Sequence, residues 1–191
     1  MTLLAIDPGT TRSAWVNANH DVVLGFGILP NEQLLARFRV LDHPVAGGVD
    51  QVVIEKVESY GMAVGADVFE TVFWSGRFAE AAEPLPVDRL GRKAVKLHLC
   101  GDTRAKDSNI RQALIDRYGG IEGKRAAIGL KASPGPLYGV SKDVWAALAV
   151  ACTWADHGPS ARASRSSTST RCSATSRIAS RRSATTTCAP R

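Results

Sequence analysis

Leu3-Leu4-Ala5-Ile6-Asp7-Pro8-Gly9-Thr10-Thr11 is the stretch on which the fold turns. Four apolar residues suit a short buried strand, and the acid, proline and glycine that follow stop it in a tight turn with close backbone approach. Ser13 to Val16 and Val22 to Ile28 come next at hairpin distances, which gives an antiparallel opening of three strands. Asn31 can cap a short helix carrying Leu34, Leu35 and Phe38 on one face, and His43 to Gly48 reads as a loop. Gln51-Val52-Val53-Ile54-Glu55-Lys56-Val57 is a fourth strand, β-branched and apolar enough to lie centrally in a sheet.

Beyond it, Val68, Val72, Phe73, Phe78 and Ala79 approximate helical spacing from Gly65 to Ala82, with Glu70, Arg77 and Glu80 for the wet side. Ala94 to Leu99 reads as a fifth strand ending at Cys100-Gly101. Asp107 or Ser108 opens a helix with Ile110, Leu114 and Tyr118 inward, and Gly119-Gly120 stops it. Glu122 to Lys142 has the Gly, Pro and basic content of a long surface loop. A last helix runs from Asp143 to Asp156 through Trp145, Leu148, Ala149 and Cys152, and its alanines let it lie close to a sheet. The order predicts an α/β fold: a mixed five-stranded sheet, three antiparallel strands and then parallel ones, flanked by helices, with no internal repeat.

The 191 residues suffice for one substantial domain, and 45% hydrophobic with 22% charged residues excludes collagenous, coiled-coil and wholly disordered classes. The average conceals two parts. Of the 34 residues from 158 to 191, 28 are Ser, Thr, Ala or Arg, seven of them arginines without an acid to offset them. The chain has 24 Lys and Arg in all, so residues 1–157 hold 17 against 18 Asp and Glu, a net charge of −1. The basic pI therefore describes the tail, and nucleic-acid binding by the body must rest on local basic clusters. A tail this poor in apolar surface is expected to be disordered, and two readings of it stay open: an electrostatic arm for DNA by its charge, or, from the abrupt change of composition after His157, a frame-shifted end of a coding region. The N-terminus lacks the basic start of a signal peptide and the longest apolar run, Val144 to Cys152, has nine residues, so a soluble cytoplasmic protein without a membrane partner is expected. Cys100, Cys152, Cys172 and Cys188 form no C-x-x-C pair and read as reduced thiols.

Three acids lie where a core-forming sequence has poor reason to place them. Asp7 ends the first strand, Glu55 sits inside an apolar strand, and Asp143 opens a helix after a basic loop. Each has a plain alternative: a turn with Pro8 and Gly9, a pair with Lys56 at a sheet edge, and an N-terminal helix cap. Jointly they point elsewhere. Buried carboxylates on neighbouring strands must protonate, pair with a base or share a cation, and oxygen ligands with waters suit Mg²⁺.

Ala5-Ile6-Asp7-Pro8-Gly9-Thr10, Val53-Ile54-Glu55-Lys56-Val57, Gly76-Arg77, Val95-Lys96-Leu97-His98-Leu99-Cys100-Gly101 and Asp143-Val144-Trp145-Ala146-Ala147-Leu148-Ala149-Val150-Ala151 resemble, in order and spacing, the RuvC-type Holliday junction resolvases, especially their divergent phage branch. The resemblance spans residues 2 to about 155. It implies a ribonuclease H-like fold for residues 1–157, a homodimer, and Mg²⁺-dependent cutting of branched DNA, four-way junctions, by paired nicks. Position by position it places the catalytic, metal-holding acids on Asp7, Glu55 and Asp143. The fourth acid of the family falls on Ala146, and the junction-stacking aromatic on Glu58, with Tyr60 the nearest aromatic.

Such a site uses two Mg²⁺ ions, for which Mn²⁺ can substitute, to stabilise the attacking water and the leaving 3′ oxygen. Asp7 is then expected to bridge the ions, Glu55 to hold one, and Asp143 to hold the other or orient the water. Lys96 and Lys106 fall near the family's phosphate-contacting lysines, and Lys124, Arg125, Lys131 and Lys142 crowd the loop beside Asp143. Cations around a metal site neutralise phosphates without reading sequence, although an ordinary solvated loop has the same composition. The helix from Gly65 to Ala82, with Phe73, Trp74 and Phe78, is expected to serve the core or a two-fold interface. Three rival readings remain open: a protein that grips branched DNA without cutting, a nuclease of this fold acting on flaps or hybrids, and an actin-like or sugar-kinase ATPase. The last matches only the D-P-G-T-T turn, without a second phosphate loop or adenosine motif.

Overall fold

The computed structural model describes residues 1–38, 48–59, 61 and 63–157. The expected loop at 43–47, Tyr60 and the tail from 158 onward lie outside the described residues. Three antiparallel strands open the chain: β1 (Thr2–Asp7), β2 (Arg12–Asn19) and β3 (Val22–Pro30). Helix α1 (Asn31–Phe38) follows and buries Leu34, Leu35 and Phe38, the face its spacing predicts. Strand β4 (Gln51–Lys56) then runs parallel to β1, with Leu3 opposite Gln51 and Ile6 opposite Ile54. Helix α2 (Ala66–Ala81) leads to β5 (Val87–Gly91), parallel to β4. The sheet order is β3-β2-β1-β4-β5, a five-stranded mixed sheet as the sequence predicts.

Alternation along the central strands divides the core in two. Leu4, Ile6, Val52 and Ile54 face α1 and α2, packing with Leu34, Phe38, Trp74 and Phe78. Leu3, Ala5 and Val53 face the opposite layer, where helix α6 (Val144–His157) is buried almost throughout its length. Its small residues Ala147, Ala149 and Ala151 are within this core, as expected for a helix that lies close to a sheet. Helix α4 (Asp107–Gly119) adds Ile110, Leu114 and Ile115 to the same layer. Arg117 joins it to α6 and to the β2–β3 turn: its guanidinium lies 2.6 and 2.7 Å from the two oxygens of Asp156, and its Nε 2.9 Å from Asp21 Oδ1.

The structure corrects three expectations. Residues 94–99 are not a strand but the body of helix α3 (Arg92–Cys100), and the fifth strand lies earlier, at Val87–Gly91. Val95, Leu97 and Leu99 alternate, yet Val95 is buried, Leu99 packs beside the same core and Leu97 is exposed, a four-residue spacing on one helical face. Gly101 closes the helix in the left-handed conformation, with φ of 71°. The stretch from 122 to 142 is not a plain loop. It contains helix α5 (Lys124–Ile128) and a small hairpin, β6 (Gly129–Leu130) with β7 (Ser133–Pro134), anchored by buried Ala127 and Leu137.

The third correction concerns the rotation of α2. Trp74 and Phe78 face inward, whereas Val72 and Phe73, assigned to the buried stripe, are exposed together with Phe69. Trp74 donates through Nε1 to Glu70 Oε1 at 3.0 Å, and the Arg77 guanidinium lies 4.5 Å from its ring centre while pairing with Glu32. Among the described residues no helix is long and apolar enough to cross a membrane. Cys100 and Cys152 are free thiols.

Candidate active site

Asp7 and Glu55 are the next positions after Ala5 and Val53 on the face of the sheet that α6 covers. Strand parity therefore sends both carboxyl groups toward the end of that layer where Asp143 immediately precedes α6. Because Ile6 is opposite Ile54, the two acids sit side by side at the ends of neighbouring parallel strands.

The turn after Asp7 is held firmly. A side chain on Gly9 would meet the Arg12 carbonyl oxygen at 2.3 Å, so only glycine fits the turn. The Gly9 amide donates to Ser13 Oγ, which donates to Asn31 Oδ1 at 2.7 Å. Asn31 Nδ2 in turn donates to the carbonyls of Gly9 and Thr10. Buried Asn31 thus fixes the turn rather than merely starting α1.

Burial first, and then the negative charge of Glu55, lifts the Asp7 carboxyl from 3.8 to about 8, with Asp143 adding to the rise and Arg92 opposing it. Glu55 is raised as well, again mainly by burial and against the pull of Arg92. The two carboxyl groups act on one another, the negative charge of Glu55 helping to hold the proton on Asp7.

Arg92, which the sequence reading did not single out, is the cation at this pair. Its Nη1 lies 3.2 Å from both Glu55 oxygens and its Nη2 donates to Asp107 Oδ1 at 2.8 Å. A cavity of about 220 Å³ on one side is lined by Asp7, Pro8, Glu55, Lys56, Val57, Glu58 and Arg92. A second, of about 130 Å³, brings Asp7 and Arg92 together with Asp107, Lys142, Asp143 and Ala146. Asp7 borders both. The structure thus gathers Asp7, Glu55 and Asp143 at one end of the sheet, with Ala146 facing the second cavity in place of an acid.

Two neighbouring buried carboxyl groups, both raised in pKa, are an arrangement that an oxygen-preferring divalent ion relieves, so Asp7 and Glu55 fit such an ion completed by water. Among the described residues no group of three His, Cys, Asp or Glu side chains is arranged to hold a metal. Glu55 is at the same time engaged by Arg92.

The expected DNA-binding cations divide by position. Lys142 lines the second cavity and also a third, of about 420 Å³, with Asp107, Ser108, Arg111 and Trp145. Arg111 stacks 5.0 Å from the Trp145 ring centre and is a second basic residue that the sequence reading passed over. Lys96 lies on α3 and Lys106 just before α4, while Lys124, Arg125 and Lys131 are exposed on α5 and the hairpin turn, outside the lining of these three cavities. Glu58, at the place of the expected stacking aromatic, pairs with Lys56 at 3.0 Å and presses against Gly91, where a Cβ would meet its Oε2 at 2.7 Å.

No protein-family model and no curated protein sequence matches the chain. Solved structures do. The RuvC structure from Thermus thermophilus superposes with a TM-score of 0.60 at 22% identity, over 86% of this chain and 97% of that one. T. thermophilus RuvC in complex with Holliday junction substrate gives 0.57 at 21%, over 80% and 92%. The strand order, the helix layers and these superpositions lead to one conclusion: the chain has the ribonuclease H-like fold of the RuvC Holliday junction resolvases.

Proposed function

We propose that this protein is a Mg²⁺-dependent, structure-selective endonuclease that resolves four-way DNA junctions by paired nicks. The observation that carries the reading is the buried Asp7–Glu55 pair, raised in pKa and adjacent on β1 and β4, in a fold shared with a protein seen bound to a Holliday junction. Asp7 and Glu55 hold the ion, and Asp143, across the second cavity, orients the attacking water. The bound ion supplies Lewis acidity and a water of lowered pKa. Lys142 and Arg111 line the approach and neutralise the backbone phosphates on either side of the one being cut, with Lys96, Lys106, Lys124, Arg125 and Lys131 contributing electrostatics from farther out. Exposed Phe69, Val72 and Phe73 on α2 form the apolar patch through which two copies pair, so that two sites address opposed strands.

Ala146 and the Arg92–Glu55 pair favour a second reading, a protein that grips junctions without cutting them. Purified protein incubated with Mg²⁺ and four substrates separates the readings: a synthetic four-way junction, a flap, an RNA–DNA hybrid and a linear duplex. Symmetric nicks confined to the junction support the proposal. Tight junction binding without nicks establishes the second reading, and preferential cutting of the flap or hybrid moves the substrate elsewhere.

A further inference from the structure

We propose that Arg92 is a resident cation of the active site, occupying through its guanidinium the place at Glu55 that a second divalent ion would take. The site then works with one ion and one arginine. The inference rests on the reading that Asp7 and Glu55 hold a divalent ion, and deepens it.

The backbone fixes the arginine there. Gly91, opposite Lys56 in the β4–β5 pair, ends β5 in an extended conformation, and α3 begins with the next residue. Arg92 therefore starts from the end of the strand that neighbours Glu55, and its side chain reaches back across that carboxylate. One nitrogen lies 3.2 Å from each Glu55 oxygen and another 2.8 Å from Asp107 Oδ1, so the plane of the guanidinium is pinned at both ends. It also lines both cavities that Asp7 borders.

Three physical consequences follow. A guanidinium keeps its charge at every pH a protein survives, so the positive charge at Glu55 is permanent. It has donors and no acceptor, and so competes with a metal for the Glu55 lone pairs. A second ion at Glu55 would have to displace Arg92 from both Glu55 oxygens and bring two further positive charges close to the guanidinium. Arg92 is thus a positioning residue: it orients the Glu55 carboxylate and keeps a permanent positive charge beside it.

The test is a titration of Mn²⁺ alone into the full chain, followed by calorimetry and by electron paramagnetic resonance. Two ions bridged by a carboxylate couple magnetically, whereas one gives an isolated six-line spectrum. The parent protein is expected to bind one Mn²⁺ with the uncoupled spectrum, and Arg92→Lys to keep that count. Arg92→Gln is expected to gain a coupled second ion or to bind the first about tenfold more tightly. If Arg92→Gln does not fold, the parent and Arg92→Lys still decide the count. Two coupled ions in the parent, or an Arg92→Gln protein unchanged in both count and affinity, overturn the inference and leave the nuclease reading standing. Absence of Mn²⁺ binding by every variant, parent included, overturns the nuclease reading itself.

Discussion

Asp7 and Glu55 stand side by side, one residue beyond the Ile6–Ile54 pair that joins β1 to β4, and both face the α6 layer. Strand parity puts two acids into one buried place. The turn locked by Gly9, Ser13 and Asn31 leaves Asp7 little freedom to retreat from it.

That crowding sets a pH dependence. Burial first, and Glu55 second, hold the Asp7 proton up to about 8 in the folded chain, against the ordinary 3.8 in the unfolded one, so the folded chain binds more protons between these values. Stability in EDTA therefore falls as pH rises through this interval. Asp7→Asn makes the slope shallower, leaving the share of Glu55, and is more stable than the parent at pH 8 by about 2–4 kcal/mol, since half of the Asp7 shift already corresponds to more than about 2 kcal/mol. Urea denaturation at pH 5 and pH 8 measures both effects, and added Mg²⁺ restores the parent.

Asp156 titrates in the opposite sense. Its bonds to Arg117 and His98 hold it at about 2, below the ordinary 3.8. This stabilisation is present above 3.8 and is lost as pH falls through about 2. Because Asp156 is exposed and its ion pair screened by solvent, Asp156→Asn is expected to cost about 1 kcal/mol or less at pH 7 and nothing in strong acid, by denaturant titration at each pH.

The two faces of α2 separate folding from pairing. Trp74 is 7% exposed and Phe73 55%. Trp74→Ala is expected to lose about 3–5 kcal/mol of stability. Phe73→Glu with Phe69→Glu is expected to leave the melting temperature within a few degrees and to convert a dimer to a monomer in sedimentation velocity. A parent protein that sediments as a monomer at every concentration removes the proposed interface.

DNA contacts are read from salt dependence. Lys142→Ala and Arg111→Ala should each lower the slope of log affinity against log salt by about 1, uniformly across junction sequences. An unchanged slope for both places the phosphates elsewhere.

The sheet and its acids were legible in the sequence because they depend on local information: an apolar run, the parity of Asp7 and Glu55 within it, and the acid before α6. Helix α3 was misread because Val95, Leu97 and Leu99 satisfy both a two-residue and a four-residue period, and the deciding fact is exposure of Leu97. The true fifth strand was hidden by Asp88, a polar residue buried against a distant partner: Trp154 donates to it through Nε1 at 2.8 Å from the other end of the chain. Arg92 was passed over, and Asp107 read only as the start of a helix, for the same reason. Their importance lies in bonds between residues far apart in sequence, on which neither composition nor spacing reports. The rotation of α2 was missed because adjacent aromatics, Phe73 and Trp74, differ by one position in helical phase.

The central claim is that Asp7 and Glu55 jointly hold a divalent ion against the phosphate being cut. Single-turnover cleavage of a four-way junction, measured against Mg²⁺ concentration for the parent, Asp7→Asn and Glu55→Gln, tests it most directly. The account predicts Mg²⁺-dependent paired nicks by the parent and a loss of about a hundredfold or more in each variant, with junction affinity retained. Cleavage by either variant within tenfold of the parent, or by the parent in excess EDTA, contradicts it.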